Sequence, residues 1–151
     1  MNAYPKEYFY KKIVMSKHYI ETYYAEKIDI GNIANETHFS KFDFIRQFKK
    51  TYGKTPYNYL KNIRLNKACE LLKHTDTSVQ EICYNVGYES VSSFSSLFKK
   101  EFEFSPIEFR IKQNLKTESI QQEPLKYIPG CFAFKNGWKN SNYEEVELIQ
   151  S

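Results

Sequence analysis

The sequence is poor in the residues that build metal sites, disulfide frameworks and membrane spans. Its 151 residues include three cysteines and three histidines. Cys69, Cys83 and Cys131 stand far apart, form no C-x-x-C pair and lie near no histidine at metal-ligand spacing. Reduced, buried thiols in the cytoplasm are the expectation, with no metal and no cofactor. His18, His38 and His74 fall on or at the ends of predicted helices. None has a paired nucleophile or carboxylate constellation, so an enzyme is not expected. No run approaches the length of a membrane span. Met1 to Glu7 is polar and aromatic, with no apolar region after it, so no signal peptide is read there.

What the chain does have is aromatic and basic. Hydrophobic residues make up 41% and aromatics 17%, which predicts a Phe- and Tyr-rich core. The formal net charge is +4. Segment 117–151 holds three Lys against five acidic residues, which leaves nineteen basic and thirteen acidic residues elsewhere, a net of +6. A moderately basic body suits a polyanionic partner; solvated surface lysines are the alternative.

The strongest pattern is an internal repeat. Asp29 to Tyr59 resembles Ser78 to Phe109. At one constant offset Ile33 pairs with Ile82, Ala34 with Cys83, His38 with Gly87 and Phe39 with Tyr88. One inserted residue then shifts the register. Ser40 pairs with Ser90, Phe44 with Phe94, Phe48 with Phe98, Lys49–Lys50 with Lys99–Lys100, and Tyr52 with Phe102. Thr55–Pro56 pairs with Ser105–Pro106, and Tyr59 with Phe109.

Each copy reads as short helix, tight turn, second helix. In the second copy Ser78 and Glu81 form a capping box, and Val79, Ile82, Cys83 and Val86 make an apolar face. Gly87 supplies the positive φ of the turn. Ser90 caps a helix whose inward residues are Phe94, Leu97 and Phe98. Ser105-Pro106 opens a further helix. In the first copy Asp29 caps, Ile30, Ile33 and Ala34 face inward, and Ser40 caps a helix anchored by Phe44 and Phe48. His38 stands where glycine would be easier, so this turn is predicted to carry the strain. Between the copies, Pro56 to Lys73 has helical spacing and spans roughly 26 Å, a rigid spacer between groove faces about 34 Å apart on DNA. A preceding helix, about Lys6 to Ala25, turns Phe9, Ile13, Ile20 and Tyr24 to one side.

From about Tyr19 to Arg110 these residues resemble the DNA-binding domain of the AraC/XylS family. The resemblance rests on Ile28-Asp29-Ile30, Ile33-Ala34, Phe39-Ser40, Phe48-Lys49, Gly53, Thr55-Pro56, Tyr59-Leu60, Arg64-Leu65, Ala68 and Leu71-Leu72. It continues through Ser78, Glu81-Ile82, Val86-Gly87-Tyr88, Phe94, Phe98-Lys99, Phe102, Ser105-Pro106 and Phe109-Arg110. It implies an all-α fold of about seven helices, with two homeodomain-like helix-turn-helix subdomains joined by a long linker helix. The expected division is 6–115 for the DNA-binding domain, made of 6–53, 55–74 and 78–115, and 116–151 for a C-terminal extension. The implied function is a bacterial, cytoplasmic transcription regulator reading adjacent major grooves of double-stranded DNA as a monomer or homodimer. RNA polymerase or another regulator is its expected protein partner.

By the same resemblance, base-reading candidates lie on the second helix of each unit: Lys41, Phe42, Ile45 and Arg46, then Val91, Ser92, Ser93, Ser95 and Ser96. Spacing independently sets residues 42, 45, 46 and 49 on one face, opposite Phe44 and Phe48. Arg46 suits a bidentate contact to guanine, worth ~1–3 kcal/mol of discrimination; an ion pair with Asp43 is its alternative. Phe42 and Ile45 suit thymine methyls, or pack inward. Lys49, Lys50, Lys99 and Lys100 suit phosphates, or are plain solvated helix ends. Ser40, Ser78, Ser90 and Ser105 cap helix N-termini, where free N–H groups also suit phosphates.

The serine run of the second unit departs from a family that often carries Arg or Gln there. The first unit is therefore expected to set most specificity and the second to add affinity. A helical interaction module without DNA readout is the competing reading. The segment before Lys6 leaves no room for a sensor domain, so control through protein amount or a partner is expected. In the tail, Asn136-Gly137 signals a hairpin turn and 131–134 a strand, with disorder as the alternative.

Overall fold

A computed structural model describes residues 6–129, 131 and 135–137. All regular structure among them is helical. The order is α1 Lys6–Tyr23, α2 Ile30–Glu36, α3 Lys41–Tyr52, α4 Pro56–His74, α5 Val79–Asn85, α6 Val91–Phe102 and α7 Pro106–Gln122, followed by a 3-10 turn at Pro124–Tyr127. Two compact units divide the chain, Met1–Pro106 and Ile107–Ser151.

Local chemistry explains most helix ends in the first unit. Asp29 accepts from the N–H groups of Gly31 and Asn32 to start α2. Ser40, Thr55 and Ser90 each accept the backbone N–H three residues on, starting α3, α4 and α6. These satisfy donors that a helix start leaves orphaned. Pro56 occupies the first turn of α4, where its missing N–H is harmless. The capping box expected at Ser78 and Glu81 is complete. α4 runs 19 residues, about 28 Å.

The repeat is reproduced in the turns. His38 N–H donates to Asn35 O at 3.1 Å, and Gly87 N–H donates to Tyr84 O at 3.1 Å. His38 has φ 61 and Gly87 φ 94, so the strained first turn read from the sequence is present. The inserted residue is Glu89, between this turn and the Ser90 cap.

One apolar cluster joins Ile13 and Ile20 of α1, Ile30, Ile33 and Ala34 of α2, Phe44 and Phe48 of α3, and Leu60 of α4. Further along, Leu65, Ala68 and Leu72 of α4, Ile82 and Cys83 of α5, and Phe94 and Phe98 of α6 are also buried. Burying each Phe contributes about 1.5–3 kcal/mol. Phe9 of α1 meets Phe39 of the first turn edge to face, with centroids 4.6 Å apart. Leu97 is half-buried, less inward than its neighbours Phe94 and Phe98.

Two sequence expectations change, for the thiols and for the tail strand. Only Cys83 of the thiols is buried; Cys69 is half-buried and Cys131 exposed. Burial pushes the Cys69 thiol up to about 11. α7 runs from Pro106 to Gln122. Tyr127 Oη donates to Ser119 Oγ at 2.8 Å, folding the 3-10 turn back on the helix end. Cys131 is helical rather than extended, so the expected strand does not begin there; Lys135 is helical too, and Asn136 and Gly137 form a turn. Residues 132–134 of that strand, and Trp138 with all that follows, lie outside the described residues.

Candidate nucleic-acid interface

α3 and α6 are twelve residues each and start at serine caps. Phe44 and Phe48 are fully buried on one, Phe94 and Phe98 on the other. The period of 3.6 then turns the remaining positions outward in the same register. Lys49, Lys50, Lys99 and Lys100 are exposed in the last turns, where cations complement the helix dipole.

The outer faces carry different chemistry. On α3, Phe42 is 85% exposed, an unusual position for an aromatic side chain in the absence of a partner. Lys41 is exposed, with Nζ 5.9 Å from the Tyr57 ring centroid. The Arg46 side chain is 72% exposed and ion-paired with Asp43. Ile45 differs: it is half-buried and packs against the apolar cluster, so little of it is left for a thymine methyl. On α6, Ser92, Ser93 and Ser96 are exposed, while Val91 and Ser95 are half-buried. Ser95 and Ser96 occupy the places of Ile45 and Arg46. Ser90 Oγ and Ser92 Oγ lie 3.1 Å apart.

The helix N-termini are also unequal. Ser40 Oγ donates to Asp43 Oδ2 at 2.8 Å, and Ser78 Oγ donates to Glu81 Oε2 at 3.2 Å. Each of these hydroxyls therefore stands against a carboxylate, which repels a phosphate. Glu108 lies in the first turn of α7, beyond Ser105. The first turn of α6 after Ser90 carries no acid.

Arg64, which no motif singled out for a role, sits at the joint between the two helix-turn-helix units. Its Nε donates to Tyr24 O at 2.7 Å and its Nη2 to Glu26 O at 2.8 Å. Its guanidinium lies 5.4 Å from the Tyr88 ring centroid. Burial lowers its pKa from the usual value, but an arginine stays charged. A Cβ on Gly87 would come within 2.9 Å of Tyr24 O and 3.0 Å of both Ala25 O and Arg64 Nε. The second turn is thus pressed onto the end of α1 through Arg64. Lys61 Nζ and Glu101 Oε2, 3.2 Å apart, add a tie between α4 and α6. A cleft of about 710 Å³ opens beside this joint, lined in part by Lys27, Arg64, Tyr88, Ser90 and Ser93. The signal in the sequence was an arginine between Ile63 and Leu65, in the middle of the linker helix.

Two capped, equal-length helices, each held by a turn and displayed on one linker helix, define a double helix-turn-helix fold. A helix-turn-helix domain model matches residues 33–112. The HTH-type transcriptional activator RhaS of Enterobacter sp. (strain 638) is 40% identical over 92 residues, which is 61% of this chain and 33% of that protein. RhaS of Escherichia coli O157:H7 is 36% identical over the same length. The chain therefore spans about a third of the length of these relatives (33%). Among solved structures, the C-terminal domain of the response regulator AraT from Geobacillus stearothermophilus is 28% identical with a TM-score of 0.63, covering 67% of this chain and 84% of that one. An AraC-type DNA-binding domain protein from Chromobacterium violaceum is 29% identical with a TM-score of 0.60, covering 69% and 93%. The DNA-binding domain of AdpA, solved with a target DNA, shares the fold at 22% identity and a TM-score of 0.62, over 74% and 96%. This chain belongs to the AraC-type helix-turn-helix family.

Among the described residues no three His, Cys, Asp or Glu side chains gather into a metal-binding group. No described helix is long and apolar enough to cross a membrane.

Proposed function

We propose that this chain is the DNA-binding part of a cytoplasmic transcription regulator, with α3 and α6 entering adjacent major grooves of double-stranded DNA. The observation that carries the reading is the matched pair of recognition helices: same length, same cap, same buried face, and exposed outer faces ending in Lys49–Lys50 and Lys99–Lys100. Lys41, Phe42, Arg46, Ser92, Ser93 and Ser96 read base edges; Ile45, Val91 and Ser95 contribute less because they are half-buried. The lysine pairs and the α6 N-terminus at Ser90 take phosphates, which position the protein without specifying sequence. Arg64 serves this function indirectly, by holding the second turn against the first subdomain so that both helices keep a fixed relation to the duplex. Residues 6–115 form the DNA-binding domain, acting as a monomer or homodimer and working with RNA polymerase or another regulator.

The test is selection of bound sequences from a random duplex pool, followed by salt titration on the selected site. A defined site should emerge, and log affinity should fall linearly with log salt as phosphate contacts release counterions. If no duplex enriches above background at low salt, the reading is overturned in favour of a helical interaction module.

A further inference from the structure

The Asp43 carboxylate lies at the centre of a small network on the recognition face of α3. Ser40 Oγ donates to Asp43 Oδ2 at 2.8 Å, and the Asp43 backbone N–H donates to Ser40 Oγ at 3.1 Å. The other carboxylate oxygen, Oδ1, accepts from Arg46 Nη2. One carboxylate therefore joins the helix cap to the best base-reading candidate. Its side chain is 47% exposed and that of Arg46 is 72% exposed, so the pair lies at the surface that meets solvent.

Stability accounts for only part of this arrangement: an acid in the first turn of α3 complements the helix dipole, but that needs no contact with Arg46. A surface i,i+3 ion pair is worth little, and the Ser40 hydroxyl caps the helix without help from a carboxylate, as Ser90 does on α6 with Ser93 in the matching place. Electrostatics argue against an acid at a DNA interface, because it repels phosphates and lowers sequence-independent affinity. Geometry supplies its use. A free arginine samples many rotamers and reaches phosphates as readily as bases. Asp43 engages the Nη2 end of the guanidinium and so restricts the orientations of the arginine, with its other N–H donors left for a base. A bidentate contact to guanine gains from such a restriction.

We infer that Asp43 is a positioning residue for sequence readout: it orients Arg46 toward one base pair and holds it away from the backbone, exchanging general affinity for discrimination. The inference rests on the DNA-binding reading above. Its partner is a guanine edge in the major groove, flanked by phosphates that Asp43 repels.

The experiment uses the whole chain and the site that it selects from a random duplex pool. Binding of wild type, Asp43→Ala, Asp43→Asn, Arg46→Ala and the Asp43→Ala/Arg46→Ala double variant is measured on that site and on every single-base-pair change of it. Asp43→Asn keeps a side-chain acceptor beside the Ser40 cap, and circular dichroism confirms that each variant folds. Asp43→Ala should lose about tenfold discrimination at the same base pair that Arg46→Ala affects, within the range of a good bidentate contact. The double variant should be no worse there than Arg46→Ala alone, because the two residues act as one unit. Binding to unrelated duplex should strengthen in Asp43→Ala and Asp43→Asn. A wild-type profile in folded Asp43→Ala, or an equal loss at every position, would make Asp43 a cap alone and overturn the inference while DNA binding stands. If the wild-type chain selects no duplex, the functional reading falls and takes this inference with it.

Discussion

The two helix-turn-helix units share a backbone plan but distribute strain and chemistry in opposite ways. Each has two left-handed positions, one in the tight turn and one ending the second helix. The first unit has His38 in the turn, at φ 61, and Gly53 at the helix end, at φ 75. The second has Gly87 in the turn, at φ 94, and Glu103 at the helix end, at φ 69. Each unit thus places glycine at only one of the two. Space explains part of the choice. At Gly87 a Cβ meets carbonyl oxygens of the α1 end, whereas at Gly53 it meets nothing within 4 Å. Glycine is therefore indispensable in the second turn for a steric reason, and useful at Gly53 only for its backbone freedom. The lesson is that a repeat can conserve a conformation without conserving the residue that makes it easy.

Single substitutions should act unequally on the two units. The largest effect should come from the anchors. Phe48→Ala and Phe98→Ala should each destabilise the chain by about 3–5 kcal/mol, read by urea denaturation. A much smaller loss at one of them would show that its unit packs less tightly around the shared plan. Next come the glycines. Gly87→Ala should lose about 2–3 kcal/mol, because it combines left-handed strain with the clash against Tyr24 and Ala25. Gly53→Ala should lose only about 1 kcal/mol. Equal losses would mean that the second turn shifts to make room.

Readout should differ between the units as well. Arg46→Ala should remove about 1–3 kcal/mol of discrimination at one base pair of the selected site. Ser96→Ala, in the matching place on α6, should cost less than about 1 kcal/mol, spread over several positions. Equal discrimination lost from both half-sites would abolish the asymmetry. Smaller again are the reversed substitutions. His38→Gly and Glu103→Gly should each stabilise by up to about 1 kcal/mol in thermal melts, since relief of strain outweighs the extra freedom of the unfolded chain.

The smallest difference depends on pH. In the first unit Tyr59 Oη donates to Glu21, and Lys17 Nζ lies 2.7 Å from the same carboxylate. The hydrogen bond from Lys17, then that from Tyr59, lowers the Glu21 pKa below its ordinary 4.5. A carboxylate lowered in this way stabilises the fold above its unfolded value, and that gain is lost as pH falls through the folded one. Solvent screening keeps it below about 1 kcal/mol. Phe109 takes the place of Tyr59 in the second copy and has no hydroxyl. Glu21→Gln should therefore flatten the loss of stability as pH falls below the ordinary carboxylate value of 4.5, followed by denaturant midpoints. An unchanged limb would remove this brace from the comparison.

Much of the site was legible because its determinants are local. Ser78 and Glu81 specify a capping box within four residues of chain. Phe44, Phe48, Phe94 and Phe98 specify the inward faces of α3 and α6 by spacing alone, and the outward positions of Phe42 and Arg46 follow. The strain at His38 could be read by aligning it with Gly87. The same reasoning extends to Glu103, which aligns with Gly53, but that pair was not drawn from the repeat. Ile45 was less legible: period places it at the edge of the outer face, and packing against the first-unit cluster decides that it is half-buried.

Two capped recognition helices, the turns before them and the linker helix between them follow from local sequence, because caps, periodicity and left-handed residues act over a few neighbours. Local sequence also places an arginine on α3 where α6 presents serine. How the second turn meets the first subdomain follows from long-range packing instead. That depends on Arg64 bonding the carbonyls of Tyr24 and Glu26, and on Gly87 fitting against the carbonyls of Tyr24 and Ala25. Arg64 lies about forty residues from Tyr24 and Glu26 along the chain, and no local rule pairs an arginine with particular backbone carbonyls at that distance.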